Sequence, residues 1–558
     1  MVPAASNPKF LLSTGLSRAL DSEAQSDWGF HVYSLIEAAG RACAQTFAKS
    51  FPCFFEKGKI TVFAGTGNNG ADAMVMLRFW ILSGLIESSS SALVASRSPK
   101  SGESEPWARL YRSLEKMNVP IFLWDDTSDE AVKRRNTTLS QSDIIIDGIA
   151  GTGLSAALRG TALEMVNTLN FIKRKPVFTA FSNSKITHYR SVSEITDPQI
   201  PVIVSIDLPS GNSDDWEDGM PIVEADFTLA IEPQKYCVYT PSARIFAGTI
   251  IPIEGIFPKE IMANYSGAEL LNWDVAKARI PGIRQDAYKN MRGTVEVRAG
   301  SPGATGAALI TARGAQAAGA GLIRIVADDE IYPILASRAG GIMVSPVSLE
   351  NADCKKHNFP PDAMVLGPGW GKVLDRSQVL EKALLAEKSG VPLILDADAI
   401  ELVRDTVFNG NAILTPHPGE LSSKYAGIEQ KELLNHPAPI LQKLAFERKA
   451  TILFKSHVIT IAAPDGRIGV LDGMAAGLAS GGSGDLLAGF CGAIAARMAR
   501  EKRFDAYDCA AAAAALLIAT GKSGRMAKRF TDPLELADAA ADMAGSAWLG
   551  QEENQYVR

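Results

Sequence analysis

The sequence predicts a two-domain α/β protein built on parallel sheets, and three observations predict it. Short β-branched runs repeatedly meet a glycine- or proline-bearing turn and then an apolar helical stretch, the strand–loop–helix unit of a parallel sheet. The 558 residues exceed one ordinary domain and suit two large α/β units. Hydrophobic residues make up 46% and charged residues 21%, which supplies cores and argues against a disordered chain.

Residues 59–77 read KITVFAGTGNNGADAMVML, a strand over Ile60–Phe63, a glycine/asparagine turn and a helix. The same grammar recurs where DIIID (Asp143–Asp147) runs into GIAGTGL and PVIVSI (Pro201–Ile206) runs into DLPSGN. Open parallel sheets bind ligands at the carboxyl ends of their strands, so Gly67–Asp72, Asp147–Leu154 and Asp207–Gly211 are expected to converge on one pocket. A second block begins near Lys289, with a strand over Thr294–Val297, a glycine-rich turn and an alanine-rich helix. Further strands end in MVLGPGWG (Met364–Gly371), PLILDADA (Pro392–Ala399) and NAILTPHPGE (Asn411–Glu420). Residues 264–286 carry Pro281 and Gly282 and little periodicity, which puts the boundary near 275 and the domains at 1–275 and 276–558. The polar stretch 176–200 reads as a surface insertion, 87–91 and 551–558 as exposed and mobile, and the alanine run 510–515 as a buried helix.

Composition excludes several classes. A net charge of -6 gives no case for binding nucleic acid. No apolar run approaches 20 residues, so no membrane span is expected, and no leader segment is evident. Six scattered cysteines (Cys43, Cys53, Cys237, Cys354, Cys491, Cys509) read as reduced thiols of a cytoplasmic enzyme. GxxxxGK[ST], GxSxG and CxxC are absent, and GTGNNG, although it has the GxGxxG spacing, is not read as a standard dinucleotide-binding domain.

Six constellations remain. Glycines in GTGNNGAD (Gly65–Asp72) let backbone amides approach an anion at a helix start, or simply form a tight turn. Asp147 ends a strand, where it faces a pocket or caps a helix. Asp207 and Ser210 offer a carboxylate and a hydroxyl suited to a hard cation, or an Asx-type turn. GGSGD (Gly481–Asp485) opens a helix with successive amides that suit a transferring phosphoryl group, beside a carboxylate that can take a proton from a hydroxyl. His417 is held between two prolines past a strand end. Lys455 ends TILFK, either as a phosphate contact or as a solvated strand-end lysine.

Taken in order, these motifs resemble the bifunctional NAD(P)H-hydrate repair family, an NAD(P)HX epimerase domain joined to an ADP- or ATP-dependent NAD(P)HX dehydratase domain. The resemblance runs from LIEAAGRACA (Leu35–Ala44) to about Gly521 and is strongest in AGSPGATGAALITARGAQAAGAGL, LGPGWG, LDADAI, LTPHPGE and ASGGSGDLLAG. It implies a Rossmann-like three-layer fold for the first half and a ribokinase-like fold for the second. It further implies that Asn69, Asp147 and Ser210 hold potassium. Asn68, Asn69, Gly70, Ala71, Asp72, the loop Gly151, Thr152, Gly153, Leu154, Ser155, Ala156, Ala157, and Asp207 would contact the hydrated nucleotide. In the second half Ala308, Gly371 and His417 would line the substrate. Lys455, Ser456, His457, Val458, Ile459, Gly481, Gly482, Ser483 and Gly484 would hold ADP or ATP with Mg2+, and Asp485 would be the base, as Asp207 would be in the first half. The implied partners are NADHX and NADPHX, with neither nucleic acid nor membrane, and a homo-oligomer is expected.

Departures from the family pattern carry expectations too. The usual GNNGGDG reads GNNGADA, so the methyls of Ala71 and Ala73 would narrow the space at the ligand. A lysine that some relatives carry after the second motif has no counterpart in Ser155–Leu158, Ala475 stands where an asparagine is common, and Ser456 replaces a glycine. The competing reading is a ribokinase-like small-molecule kinase fused to a catalytically silent nucleotide-binding module.

Overall fold

The computed structural model describes residues 9–56, 58–173, 200–350, 360–371, 376–422 and 427–549. The expected insertion (all but Ile200), the tail 551–558 and Cys354 lie outside the described residues. The chain divides into two units, Phe10–Gly267 and the residues from Ala268 on together with Lys9. The division precedes position 275 because the three-residue strand Ala268–Leu270 pairs with Ile468–Asp472 of the later sheet. A strand that short carries no periodicity to read.

Strand β1 (Lys9–Leu11) and the helices Thr14–Ser26 and Val32–Ser50 precede the first sheet. That sheet contains β2 (Ile60–Ala64), β3 (Ser91–Ala95), β4 (Ile121–Leu123), β5 (Ile144–Gly148), β6 (Val202–Ile206), β7 (Phe227–Ile231) and β8 (Thr249–Ile253). All pairs are parallel and the order is β4-β3-β2-β5-β6-β7-β8. The chain winds outward from β2 to β4 and then returns to β5 beside β2, so the crevice of an open sheet opens between the carboxyl ends of β2 and β5. Helix Asn68–Leu82 follows β2, buried along most of its length against helix Val32–Ser50. Gly40 permits that approach: a Cβ there would stand 2.6 Å from Cβ of Val75. Ser91, expected in an exposed segment, is buried as the first residue of β3.

The second unit holds β9 (Ala268–Leu270), β10 (Thr294–Arg298), β11 (Leu322–Ala327), β12 (Met343–Pro346), β13 (Ala363–Leu366), β14 (Leu393–Leu395), β15 (Ala412–Leu414), β16 (Thr451–Phe454), β17 (Val458–Ala462) and β18 (Ile468–Asp472). Their order is β9-β18-β17-β16-β15-β14-β13-β10-β11-β12. From β12 through β16 the pairs are parallel, and β17 runs antiparallel to both neighbours. The carboxyl ends of β10, β13, β14, β15 and β16 therefore share one edge. Helices Thr305–Ala317 and Ser483–Arg500 pack with their backbones nearly touching: a Cβ on Gly489 would lie 2.1 Å from the carbonyl oxygen of Thr311. The alanine run lies inside helix Ala506–Lys522, with Ala510 to Ala515 at most 1% exposed. Cys43, Cys237, Cys491 and Cys509 are buried and Cys53 exposed, all as free thiols. Among the described residues no helix is long and apolar enough to cross a membrane.

Candidate active site

Each unit gathers its polar residues on the carboxyl edge of its sheet. In the first, three turns are tied together. Asp147, fully buried at the end of β5, accepts hydrogen bonds from the Ser210 hydroxyl (2.6 Å) and amide (2.9 Å) and the Ser205 hydroxyl (2.7 Å). The Ser210 hydroxyl also bonds the carbonyl of Ala150 (2.9 Å), which accepts from Asn69 Nδ2 as well (2.9 Å). The loops after β2, β5 and β6 thus meet, as adjacent carboxyl ends require. Burial pushes the Asp147 carboxyl above its usual range although the Ser210, Ser205 and Ile149 donors oppose it. Asn69 Oδ1 is buried without a partner among the described residues, next to these oxygens. Replacing Ser210 by alanine removes a donor from a fully buried carboxylate and should cost about 1–3 kcal/mol of stability, read by denaturant unfolding.

Asp207 sits just past β6 with φ +65°, a conformation unusual for a side-chain-bearing residue and common at functional sites. Its carboxylate receives Lys235 Nζ at 2.5 Å, and both side chains are nearly buried. Asp72 stands in the same charge field. Burial, reinforced by the Asp207 charge and opposed by Lys235, drives its carboxyl well above the normal range, and its Oδ1 has no partner among the described residues. Asn68 is exposed at the helix start and Gly70 is buried, its Cα too close to the carbonyl of Gly65 for a Cβ to fit. In the second loop Arg18 binds the Thr152 carbonyl (2.9 Å), Gly151 packs on Asn69, Leu154 is partly covered, and Gly153, Ser155, Ala156 and Ala157 are exposed. Ala71 and Ala73 differ from the sequence expectation. Both methyls are fully buried in the unit's core, so they fill space between helix and sheet and do not narrow a ligand pocket.

Lys235 is the residue that sequence reasoning missed. The loop after β5 offers no lysine, but the turn after β7, read as IEPQKY, brings one to the same carboxylate. The available signal was a lysine four residues beyond a buried parallel strand.

In the second unit, Asp396 follows β14 and is 2% exposed. It accepts hydrogen bonds from Lys455 Nζ (2.5 Å) at the end of β16 and from the Thr415 hydroxyl (2.7 Å) after β15. Asp485 lies on the first turn of helix Ser483–Arg500, behind Gly482, whose φ of +92° suits glycine. The first amide with an intrahelical acceptor is that of Leu486, bonding the Gly482 carbonyl, so the amides of Gly484 and Asp485 belong to the open first turn. Burial and the neighbouring Asp396 charge push the Asp485 carboxyl up to about 7, against the pull of Lys455. Burial opposes the charge on Lys455, yet Asp396, Glu420 and Asp485 outweigh it and hold the amine above its usual value. Asp396 was likewise missed: LDADAI was legible as a motif, but its role as the lysine's counterion needed β14 beside β15 and β16.

Lys455, Ser456 and His457 form the turn between β16 and β17, with Val458 and Ile459 buried in β17. Gly481 is exposed, and Gly482, Ser483 and Gly484 are half-buried along the helix opening, with Gly484 beside Lys455 Nζ. His417 is half-exposed after β15. Its Nδ1 accepts from the amide of Gly419 (3.0 Å), so Nε2 carries the proton, 3.4 Å from Glu420 Oε1. Gly371 gives its amide to Asp398 Oδ2 (2.9 Å). Ala308, expected at the substrate, has a fully buried methyl that packs in the core beneath the Gly300 turn.

Two known families match this chain. Residues 295–541 match the one described as NAD(P)H-hydrate dehydratase, and residues 32–237 match the YjeF-related protein N-terminus. Bifunctional NAD(P)H-hydrate repair enzymes match across both. The one from Moorella thermoacetica is 27% identical, covering 87% of this chain and 88% of its own, and that from Escherichia coli is 26% identical, covering 88% and 85%. The chain belongs to the bifunctional NAD(P)H-hydrate repair family. Among solved structures, the ADP/ATP-dependent NAD(P)H-hydrate dehydratase from Bacillus subtilis is 25% identical, with a TM-score of 0.43, over 50% of this chain and 98% of that one. Both clusters, Asp147–Asn69–Ser210 with Asp207–Lys235 and Asp396–Lys455–Asp485, fall within the stretches matched by the two halves of the family.

Proposed function

We infer that this chain restores hydrated NADH and NADPH: its first unit interconverts the R and S forms of NAD(P)HX, and its second dehydrates the S form with a nucleotide as phosphoryl donor. The observation that carries the reading is Asp485. A carboxyl pushed up to about 7 stands on a glycine-opened helix start beside a lysine, which suits it to accept a proton next to an anion site.

In the dehydratase half, Asp485 takes the proton of the C6 hydroxyl as its oxygen bonds to the terminal phosphorus of the nucleotide. The bond from that phosphorus to the departing nucleotide breaks, giving AMP if ADP is the donor. The amides at Gly484 and Asp485 stabilise charge on the moving phosphoryl oxygens, and Lys455 contributes a fixed positive charge. Phosphate then leaves C6 with the bonding electrons, pushed by the ring nitrogen lone pair. Loss of a proton from C5 restores the 5,6 double bond. The turn Lys455–Ile459 and Gly481–Gly484 would hold the nucleotide, with His417 and Gly371 at the substrate. Magnesium, when bound, would supply charge neutralisation for adjacent phosphates.

In the epimerase half, Asp207, held in position by Lys235, takes the C6 hydroxyl proton as the C6–N1 bond opens to leave a C6 carbonyl, and returns it to that oxygen when the ring nitrogen re-adds to the other face. Asn69, Asp147 and Ser210 would hold potassium. The unpartnered Asn69 Oδ1 beside a carboxylate, a hydroxyl and the Ala150 carbonyl is an all-oxygen set that fits a hard monovalent cation.

Incubating the full chain with mixed hydrate epimers and ADP or ATP tests both activities through reduced-nicotinamide absorbance. Complete recovery is expected. Recovery of only the S fraction would remove the epimerase reading, and a stable phosphorylated product would favour the kinase. Asp207→Asn should leave S-epimer recovery intact and stop recovery of the R form.

A further inference from the structure

Helix Ser483–Arg500 carries Asp485 on its first turn and Arg497 on its last. Twelve residues at 1.5 Å each set them about 18 Å apart. Around that far end lies a cavity of about 560 Å³, lined by Arg284, Arg292, Arg497, Arg500 and Arg503 against one carboxylate, Glu501. Three of these cations are engaged elsewhere: Arg284 with Asp286, Arg292 with the carbonyls of Gly319 and Ala320, and Arg500 with Asp362 and the carbonyl of Asn290. Arg497 is different. It is 2% exposed, its guanidinium lies over the Trp548 ring, and none of its three nitrogens has a hydrogen-bond partner among the described residues. A buried cation left this way is costly unless an anion completes it. Burial pushes this arginine down to about 10, with Glu501 opposing and Arg292 adding to the shift.

We propose that this cavity binds a phosphate-bearing small molecule, separate from the catalytic nucleotide site, with Arg497 as the buried partner of its phosphate group. The forked guanidinium matches two phosphate oxygens, the Trp548 ring fixes its plane, and exposed Arg500 and Arg503 attract the anion at the mouth. The volume accommodates a nucleotide-sized ligand as well as a bare polyphosphate.

Calorimetric titration of the full chain with pyrophosphate tests this, comparing wild type with Arg503→Glu and Arg497→Met. The wild type should bind one more equivalent than either variant, or Arg503→Glu should bind that equivalent at least tenfold more weakly than the wild type. The double variant Lys455→Met with Asp396→Asn, which removes the cation of the catalytic site, should retain it, which separates the cavity from the catalytic site. Arg497→Met should also unfold at the same or higher denaturant concentration in phosphate-free buffer, having lost an unpaired buried charge. If that variant fails to fold, Arg503→Glu, an exposed change, decides. No pyrophosphate bound by the wild type, or equal stoichiometry and affinity in wild type and Arg503→Glu, overturns the proposal.

Discussion

Asp485→Asn is expected to lower kcat for nucleotide-dependent dehydration by about 10²–10⁴-fold, the usual contribution of a positioned general base. It should do so without loss of fold. The wild-type carboxyl titrates at about 7, raised by burial and by Asp396. A base acts when deprotonated, so wild-type kcat/KM should climb as pH rises through about 7 and level off above it. The residual rate of the asparagine variant should lack that limb. The stability effect has the opposite sense. A carboxyl whose folded pKa is raised favours folding below its unfolded pKa of 3.8, and that contribution is lost as pH rises towards 7. Above pH 7 the asparagine variant should therefore melt at a higher temperature than wild type. Near-normal turnover would end the assignment of Asp485 as base, and a flat wild-type pH profile would show that its titration does not govern the rate.

Lys455→Met should be costlier to the fold. Asp396 is 2% exposed and its cation is Lys455, with Thr415 supplying a neutral donor. Removing one partner of a buried pair leaves the other charge uncompensated, typically about 3–5 kcal/mol. Denaturant unfolding at pH 7 measures it, and adding Asp396→Asn should recover much of the loss because the pair then contains no lone charge. The same change alters catalysis by a second route. Lys455 lowers the Asp485 pKa, so its removal should move the acid limb of any remaining activity above pH 7. A limb that stays in place would mean the two charges do not feel each other across the site.

The two halves differed in how far they could be read ahead. GGSGD was decipherable because a glycine needing positive φ, open amides and an acid are contiguous, and Gly482–Asp485 take that form. DIIID, PVIVSI and TILFK were visible as strands because each is an apolar run ending at a polar turn. Ala71 and Ala308 are expected at ligands, and Ala73 to narrow the space there, by their place in motifs; helical rotation turns all three methyls into cores, which leaves only backbone atoms of Ala71 and Ala308 for such contacts. Lys235 and Asp396 carried no local mark of their partners, since the pairings Lys235–Asp207 and Asp396–Lys455 span 28 and 59 residues.

The amino-acid order alone determined the alternation of strands and helices, the glycine turns that leave amides open, and the identity of the acid at each turn, because these depend on neighbours within a few residues. Tertiary structure alone decided which turns share an edge, which carboxylates acquire lysines and which stay raised, and that Arg497 is buried with no hydrogen-bond partner among the described residues. Those outcomes depend on strand order and burial, which bring together charges far apart along the chain and remove the water that would otherwise screen them.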